Sequence, residues 1–141
     1  MDQKEIILAG LTPANGVIHT PVQVQKLFFL LDKNIPELYG GPLFDFQPYN
    51  YGPFDKAVYD VLRELTIEGY VDIIPQGSLT CYKLTASGQK EGEKLLSELP
   101  QSARKFIEEV SVFVRRLSFT QLVSAIYEIY PEMRANSVFQ G

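Results

Sequence analysis

The chain has 141 residues, 45% of them hydrophobic and 12% aromatic, enough apolar material to close one core and too much for a disordered or disulfide-held miniprotein. Thirteen Lys and Arg against seventeen Asp and Glu leave a net charge of −4, all of it in residues 1 to 70, so the global charge does not draw the chain to a polyanion. A lone cysteine, Cys81, excludes an internal disulfide and a cysteine-based zinc site; no apolar run nears the roughly 18 residues of a membrane span, and the N-terminus lacks a secretory pattern, so the expected location is the cytoplasm.

In chain order, a short helix over residues 2 to 10 ends near Gly10, before the loop "LTPANG". His19 follows, expected as a surface loop histidine. Thr20 and Pro21, a hydroxyl cap and a proline at the first helical position, open a helix that runs to about Lys33. Its middle, Leu27 to Leu31, is apolar on every side, the pattern of a helix surrounded by the rest of its domain. Residues 34 to 53 are rich in Gly, Pro and aromatics and read as an ordered loop, in which Phe44-Asp45-Phe46 alternates like a short strand.

The hexapeptide "YNYGPF", Tyr49 to Phe54, reads in part as helix punctuation: Gly52 turns the backbone, Pro53 presets the first helical position and Phe54 begins a buried stripe. Phe54, Ala57, Val58, Val61, Leu62 and Leu65 fall at helical spacing, and Gly69 ends that helix. "YVDIIPQGSLTCYKLT" reads as a hairpin turning over Pro75 to Ser78, with Tyr82 and Leu84 on one face and Cys81, an inert strand thiol, with Lys83 on the other. A helix from about Ala86 stops before Pro100, and another over residues 101 to 117 carries Phe106, Val110, Phe113 and Leu117 on one stripe, widened by Ile107 and Val114. Ser118 and Gln121 form a capping box for a last helix that Pro131 stops, and the final residues, "MRANSVFQG", read as frayed or partner-dependent. The expected fold is a single domain over residues 1 to 141, mainly α with a small β-hairpin. It divides into a winged-helix-like core at 20 to 98, with the order helix, wing, helix, and a C-terminal helical hairpin at 101 to 131 that offers a homodimer surface.

A winged helix brings DNA reading to mind, through Lys56, Arg63 and Lys83, but the charges disfavour it. The helix over 54 to 69 sets Lys56 and Arg63 against Asp55, Asp60, Glu64 and Glu68, and the wing tip "PQGS" holds no cation. Arg104, Lys105, Arg115 and Arg116 read as a solvated helix face. Tyr59, Arg63 and Ile67 line up away from the core stripe, where they either lie under loops or form a contact surface of the residue types that dominate interfaces. Tyr49 and Tyr51, with Phe44 and Phe46, either roof the core or shape a groove beside that stripe. Catalytic material is poor: one histidine, no phosphate-binding loop, no converging carboxylates and no metal-ligand spacing, so neither an enzyme nor a cofactor is expected.

"QKLFFLL" at 25 to 31, followed by "YNYGPF" and "VYDVLRELTIEGYV", resembles the Panacea domain of SocA-like antitoxins and the related YwgA-like proteins, and "YEIYPEMRANS" is similar to the C-terminal segment of the latter. Tyr51, Gly52, Pro53 and Tyr59 match the family motif, while Tyr49-Asn50 stands where the antitoxin group often has tryptophan. The resemblance implies a helical, non-catalytic regulator that neutralises or presents a partner protein, in some members a toxin. Tyr49, Tyr51, Gly52, Pro53, Tyr59, Arg63 and Ile67 are the expected partner-binding residues.

Overall fold

The computed structural model describes residues 1–141. In chain order the elements are α1 (Gln3–Leu11), α2 (Pro21–Asn34), β1 (Gln47–Tyr49), β2 (Gly52–Phe54), α3 (Lys56–Ile67), β3 (Val71–Gln76), β4 (Leu79–Leu84), α4 (Ala86–Ser97), α5 (Gln101–Arg116) and α6 (Phe119–Ile129), with short 3₁₀ turns at Thr12–Ala14, Pro36–Leu38 and Pro131–Arg134. The protein is therefore mainly helical with two small antiparallel hairpins. No helix is long and apolar enough to cross a membrane.

Polar caps fix most helix starts. Asp2, Thr20 and Ser118 each accept a hydrogen bond from the amide three residues on, while Glu5, Gln23 and Gln121 accept one from the cap's own amide, so each box satisfies two amides that the helix leaves unpaired. Asp55 and Thr85 cap α3 and α4 with their side chains alone.

Helix α2 forms the axis of the core. Val24, Leu27, Phe28 and Leu31 are buried in one continuous cluster of 31 residues that draws on α1, α3, α5, α6 and β4. Helix α5 lies along α2 and α1, whereas α6 lies over β2 and the last 3₁₀ turn, so the main neighbours of the two C-terminal helices differ. Phe106, Phe113 and Leu117 are only half-buried; Ala103, Ile107, Val110, Ser111 and Val114 form the innermost face of α5. Helix α4 packs on α1 through glycine: a methyl group on Gly92 would stand 2.0 Å from Thr12 Oγ1 and 2.7 Å from the Leu8 carbonyl oxygen.

Five local expectations need correction. "YNYGPF" does not open a helix; it is the turn and second strand of the β1–β2 hairpin, with Tyr49 opposite Gly52 and Pro48 opposite Pro53. Asp55 supplies the cap instead, its Oδ1 accepting from the Ala57 amide at 2.8 Å, so the helix starts two residues later. Phe44-Asp45-Phe46 forms no strand because side-chain carboxylates take the amides that a ladder would use: Phe44 N donates to Asp32 Oδ2 at 2.8 Å and Asp45 N to Asp55 Oδ2 at 2.7 Å. His19 is not a surface residue. Its backbone bridges Tyr82, with N to O distances of 2.7 and 2.9 Å, which ties β4 to the start of α2 and buries the ring. The C-terminal segment is also docked, since Val138 N donates to the Asn50 carbonyl at 2.9 Å, Asn136 Nδ2 to the Pro48 carbonyl at 3.1 Å, and Tyr127 donates to Ser137 Oγ at 2.6 Å. In the second hairpin Pro75 stays in β3, and the turn is the two residues Gly77 and Ser78.

Replacing a helical glycine by alanine ordinarily stabilises by up to about 1 kcal/mol. Gly92→Ala should do the reverse, lowering stability by about 2 kcal/mol as α1 and α4 are forced apart. Urea denaturation measures this; a gain in stability would mean that the two helices are not in contact there.

Candidate binding site

Where the start of α2, the β1–β2 hairpin, β4 and the α5–α6 junction meet, they leave a cavity of about 450 Å³, within the roughly 300–1,000 Å³ usual for ligand pockets. Two files of aromatic rings run from the β1–β2 turn, and Tyr49, Tyr51, Phe54, Tyr59 and Phe119 among them line it. In one, Tyr49 packs on Phe54 at 5.0 Å between ring centres, Phe54 on Tyr59 at 5.7 Å, and Tyr59 stacks on Tyr82 at 6.2 Å. In the other, Tyr51 meets Phe119 edge-on at 5.1 Å, and Phe119 and Tyr127 each meet Phe139 at 6.1 Å. Leu79 from the second hairpin and Leu117 before α6 complete the apolar lining. The tyrosines thus flank a turn, and the hairpin that the sequence hides is what brings both to one space.

The floor is polar and comes from α2. Gln25 is buried and makes a reciprocal pair with the Asp55 backbone: Gln25 Nε2 donates to the carbonyl at 3.0 Å and the Asp55 amide donates to Gln25 Oε1 at 2.9 Å. That pair pins the end of the hairpin to the helix. Beside it Lys26, only 3% exposed, donates one hydrogen bond, to the Pro53 carbonyl at 3.3 Å. Burial with so little compensation penalises the ammonium and lowers its pKa from 10.5 to about 7. Gly52 makes room for it. Its φ is +102°, and a methyl group there would stand 3.3 Å from the Tyr127 ring and 3.6 Å from Lys26 Cε and Nζ. Tyr59 closes one side, its hydroxyl donating to the Pro21 carbonyl at 3.4 Å, and burial raises its pKa to about 12.

Of the expected partner-binding residues, Tyr49, Tyr51, Gly52 and Tyr59 line the cavity. Pro53 is buried behind it and contributes the carbonyl that holds Lys26. Arg63 and Ile67 stand outside on the outer face of α3, where Ile67 is 81% exposed. Tyr59 faces inward instead of joining them. The residues considered for nucleic acid do not converge: Lys56 pairs with Asp60 at 3.6 Å, Arg63 is exposed, and Lys83 is half-buried in β4. Lys4 from α1 bridges Glu64 at 3.7 Å and Glu68 at 3.0 Å, leaving the outer face of α3 acidic at Asp60, Glu64 and Glu68.

No protein-family model and no curated protein matches this chain, so the chemistry of the site rests on its geometry. Three contributors escaped the sequence reading: Lys26, Gln25 and Phe119. For the first two a signal exists, because a helix apolar on every side has no outer face on which to place a Lys or Gln. Phe119, at the first position of a capped helix, gives none. His19 lies just before the Thr20 cap with neither ring nitrogen hydrogen-bonded; burial and then the Arg115 charge lower its pKa to about 4, against the weak opposing pull of the Val17 carbonyl. Its imidazole is therefore neutral at pH 7. No group of three or more His, Cys, Asp or Glu gathers anywhere in the chain.

The depressed pKa of Lys26 couples folding to pH. Between about 7 and 10.5 the unfolded chain holds a proton on Lys26 that the folded protein lacks, so stability falls as pH drops through that window; below it the penalty from Lys26 is fully present and no longer changes with pH. From pH 7 to 9, before most tyrosine in the unfolded chain ionises, native stability should rise by up to about 1.4 kcal/mol per pH unit from this group. In Lys26→Met that component should vanish. Urea denaturation at pH 7, 8 and 9 tests it, and equal slopes for the two proteins would contradict the buried ammonium.

Proposed function

We propose that this protein is a non-catalytic, cytoplasmic regulator that captures a segment of a partner protein at the aromatic cavity and, in the manner of an antitoxin, neutralises or presents that partner. The observation that carries the reading is where the exposed apolar side chains lie. Four of the ten large apolar residues left exposed, Tyr49, Tyr51, Leu79 and Phe119, surround this one cavity. Rigid aromatics around a concave floor are the composition of interface hot spots, in which a few anchored side chains carry most of the binding energy. Arg63, exposed and without an ion pair, and Ile67 extend that footprint along α3.

The resemblance to Panacea and YwgA-like proteins supports the same reading from another direction. Of its motif residues, Tyr51, Gly52 and Tyr59 line the cavity, and Pro53 supplies the carbonyl to its lysine. The exposed Val112 and Ile129 of α5 and α6 offer a separate surface for a homodimer.

The succession of α3, hairpin and α4 favours a second reading, a DNA-binding regulator. Electrostatics weigh against it, since Asp60, Glu64 and Glu68 face outward from α3 while Lys56 and Lys4 are engaged by them. A reading helix in the major groove lies beside a dense row of phosphates and needs the opposite balance.

A Tyr49→Ser, Tyr51→Ser double variant should weaken capture of the native partner by about 30-fold, the scale of losing a hot-spot contact. Its melting temperature should stay close to that of the native protein because both rings are half exposed. Affinity capture from the source cells, with calorimetry on the isolated partner, provides the readout. Undiminished capture, or salt-sensitive binding to random duplex in its place, would contradict the proposal.

A further inference from the structure

We propose that the cavity is a binding site for a carboxylate carried on an apolar body, with the Lys26 ammonium taking the charge and the rings of Tyr49, Tyr51, Phe54 and Phe119 taking the body. The inference does not depend on partner capture, because a free organic acid could fill the cavity with no protein present. Where the carboxylate is a partner's C-terminal residue, it gives that capture its chemistry.

Lys26 has three N–H donors and one protein acceptor, at 3.3 Å. A buried ammonium left in that state destabilises the fold, and an apolar side chain of similar length would pack in its place with no such penalty. Lys26 lines the cavity, and no carboxylate of the chain pairs with it. No Asp or Glu is among the residues lining it, in a protein whose net charge is −4. The surroundings add positive potential, because α2 and α6 both begin at this cavity. Their caps satisfy the Gln23 and Gln121 amides, leaving earlier amides at those helix starts without an intrahelical acceptor.

The same inventory selects the ligand. One ammonium and no arginine match a single negative charge, whereas a phosphate dianion calls for the bidentate donors of arginine or several cations. The remaining lining is mostly aromatic and aliphatic, which suits a phenyl or branched alkyl body and offers little to a polar one. A neutral carbonyl or hydroxyl could accept from Lys26 but would leave its charge uncompensated, and a charge-assisted bond is about twice as strong as a neutral one. Only tyrosines among the other titratable groups line the cavity, so Lys26 is the group whose protonation a bound carboxylate changes.

The test is calorimetry on the full chain at pH 8 with four probes: 3-phenylpropanoate, 3-phenylpropanamide, a tetrapeptide ending in a free phenylalanine carboxylate, and the same tetrapeptide with a C-terminal amide. At least one acid should bind ten-fold or more tightly than its amide. Its apparent heat should vary with the ionisation enthalpy of the buffer in the sense of proton uptake. A tighter free acid assigns the site to small molecules, and a tighter tetrapeptide acid assigns it to a chain terminus; either outcome supports the site. In Lys26→Met the preference for acid over amide should disappear. Should that variant fail to fold, the acid and amide comparison and the proton uptake on the native protein still decide. Equal binding of acids and amides, or no binding by any of the four, would overturn the inference. Loss of the native partner from the Tyr49 and Tyr51 double variant but not from Lys26→Met would then leave partner capture standing without it.

Discussion

A helix buried on every side can keep a polar side chain only where a partner meets it, and α2 keeps three such side chains: Gln25, Lys26 and Asp32. Each grips the irregular stretch that returns over the helix. Asp32 accepts the Tyr39 hydroxyl at 2.5 Å together with the Leu43 and Phe44 amides, and Gln25 makes its two bonds to the Asp55 backbone. Residues 39 to 55, which have almost no ladder or helix of their own, are held in place by side chains of their neighbour. Lys26 differs from the other two in being underfilled. The first and last of these clasps fix the loop, and the one between them is left with donors that face a cavity.

That arrangement accounts for which parts of the structure were legible. The helices were readable almost to the residue, because caps at Thr20, Thr85 and Ser118 and stops at Gly69 and Pro131 are local chemistry that needs no tertiary partner. The β3–β4 hairpin was readable too, from the turn residues and the alternation that sets Tyr82 and Leu84 on one face. The β1–β2 hairpin was not. With a proline opposite a proline its ladder has few donors, and it exists because Gln25, Lys26 and the C-terminal segment hold it from outside. His19 was misplaced for a similar reason: nothing within four residues of it announces that β4 will pair with its backbone.

The site divides along the same line. Tyr49, Tyr51, Gly52 and Tyr59 could be singled out because aromatics beside a Gly-Pro turn exceed what a turn requires. That the two tyrosines line one space is a consequence of the hairpin. Tyr59 was placed on an outward stripe with Arg63 and Ile67 by helical spacing alone, but the first turn of α3 is covered by the start of α2, while the last turn is open. Charge, by contrast, transferred directly from sequence to surface. The acidic balance of residues 54 to 69 appears as an outward row of carboxylates that already occupy the nearest lysines. Lys26 is the one cation among the residues that line the cavity, under the aromatic rings.

The account therefore turns on the state of one amino group. Selective ¹³C or ¹⁵N labelling of lysine, with the Lys26 signal assigned through Lys26→Met, allows its titration to be followed directly by NMR from pH 5 to 11. The predicted midpoint is about 7, with the other lysines titrating far above it. A midpoint near the ordinary 10.5 would mean that the ammonium is solvated, which would contradict a Lys26 buried under the rings with one protein acceptor.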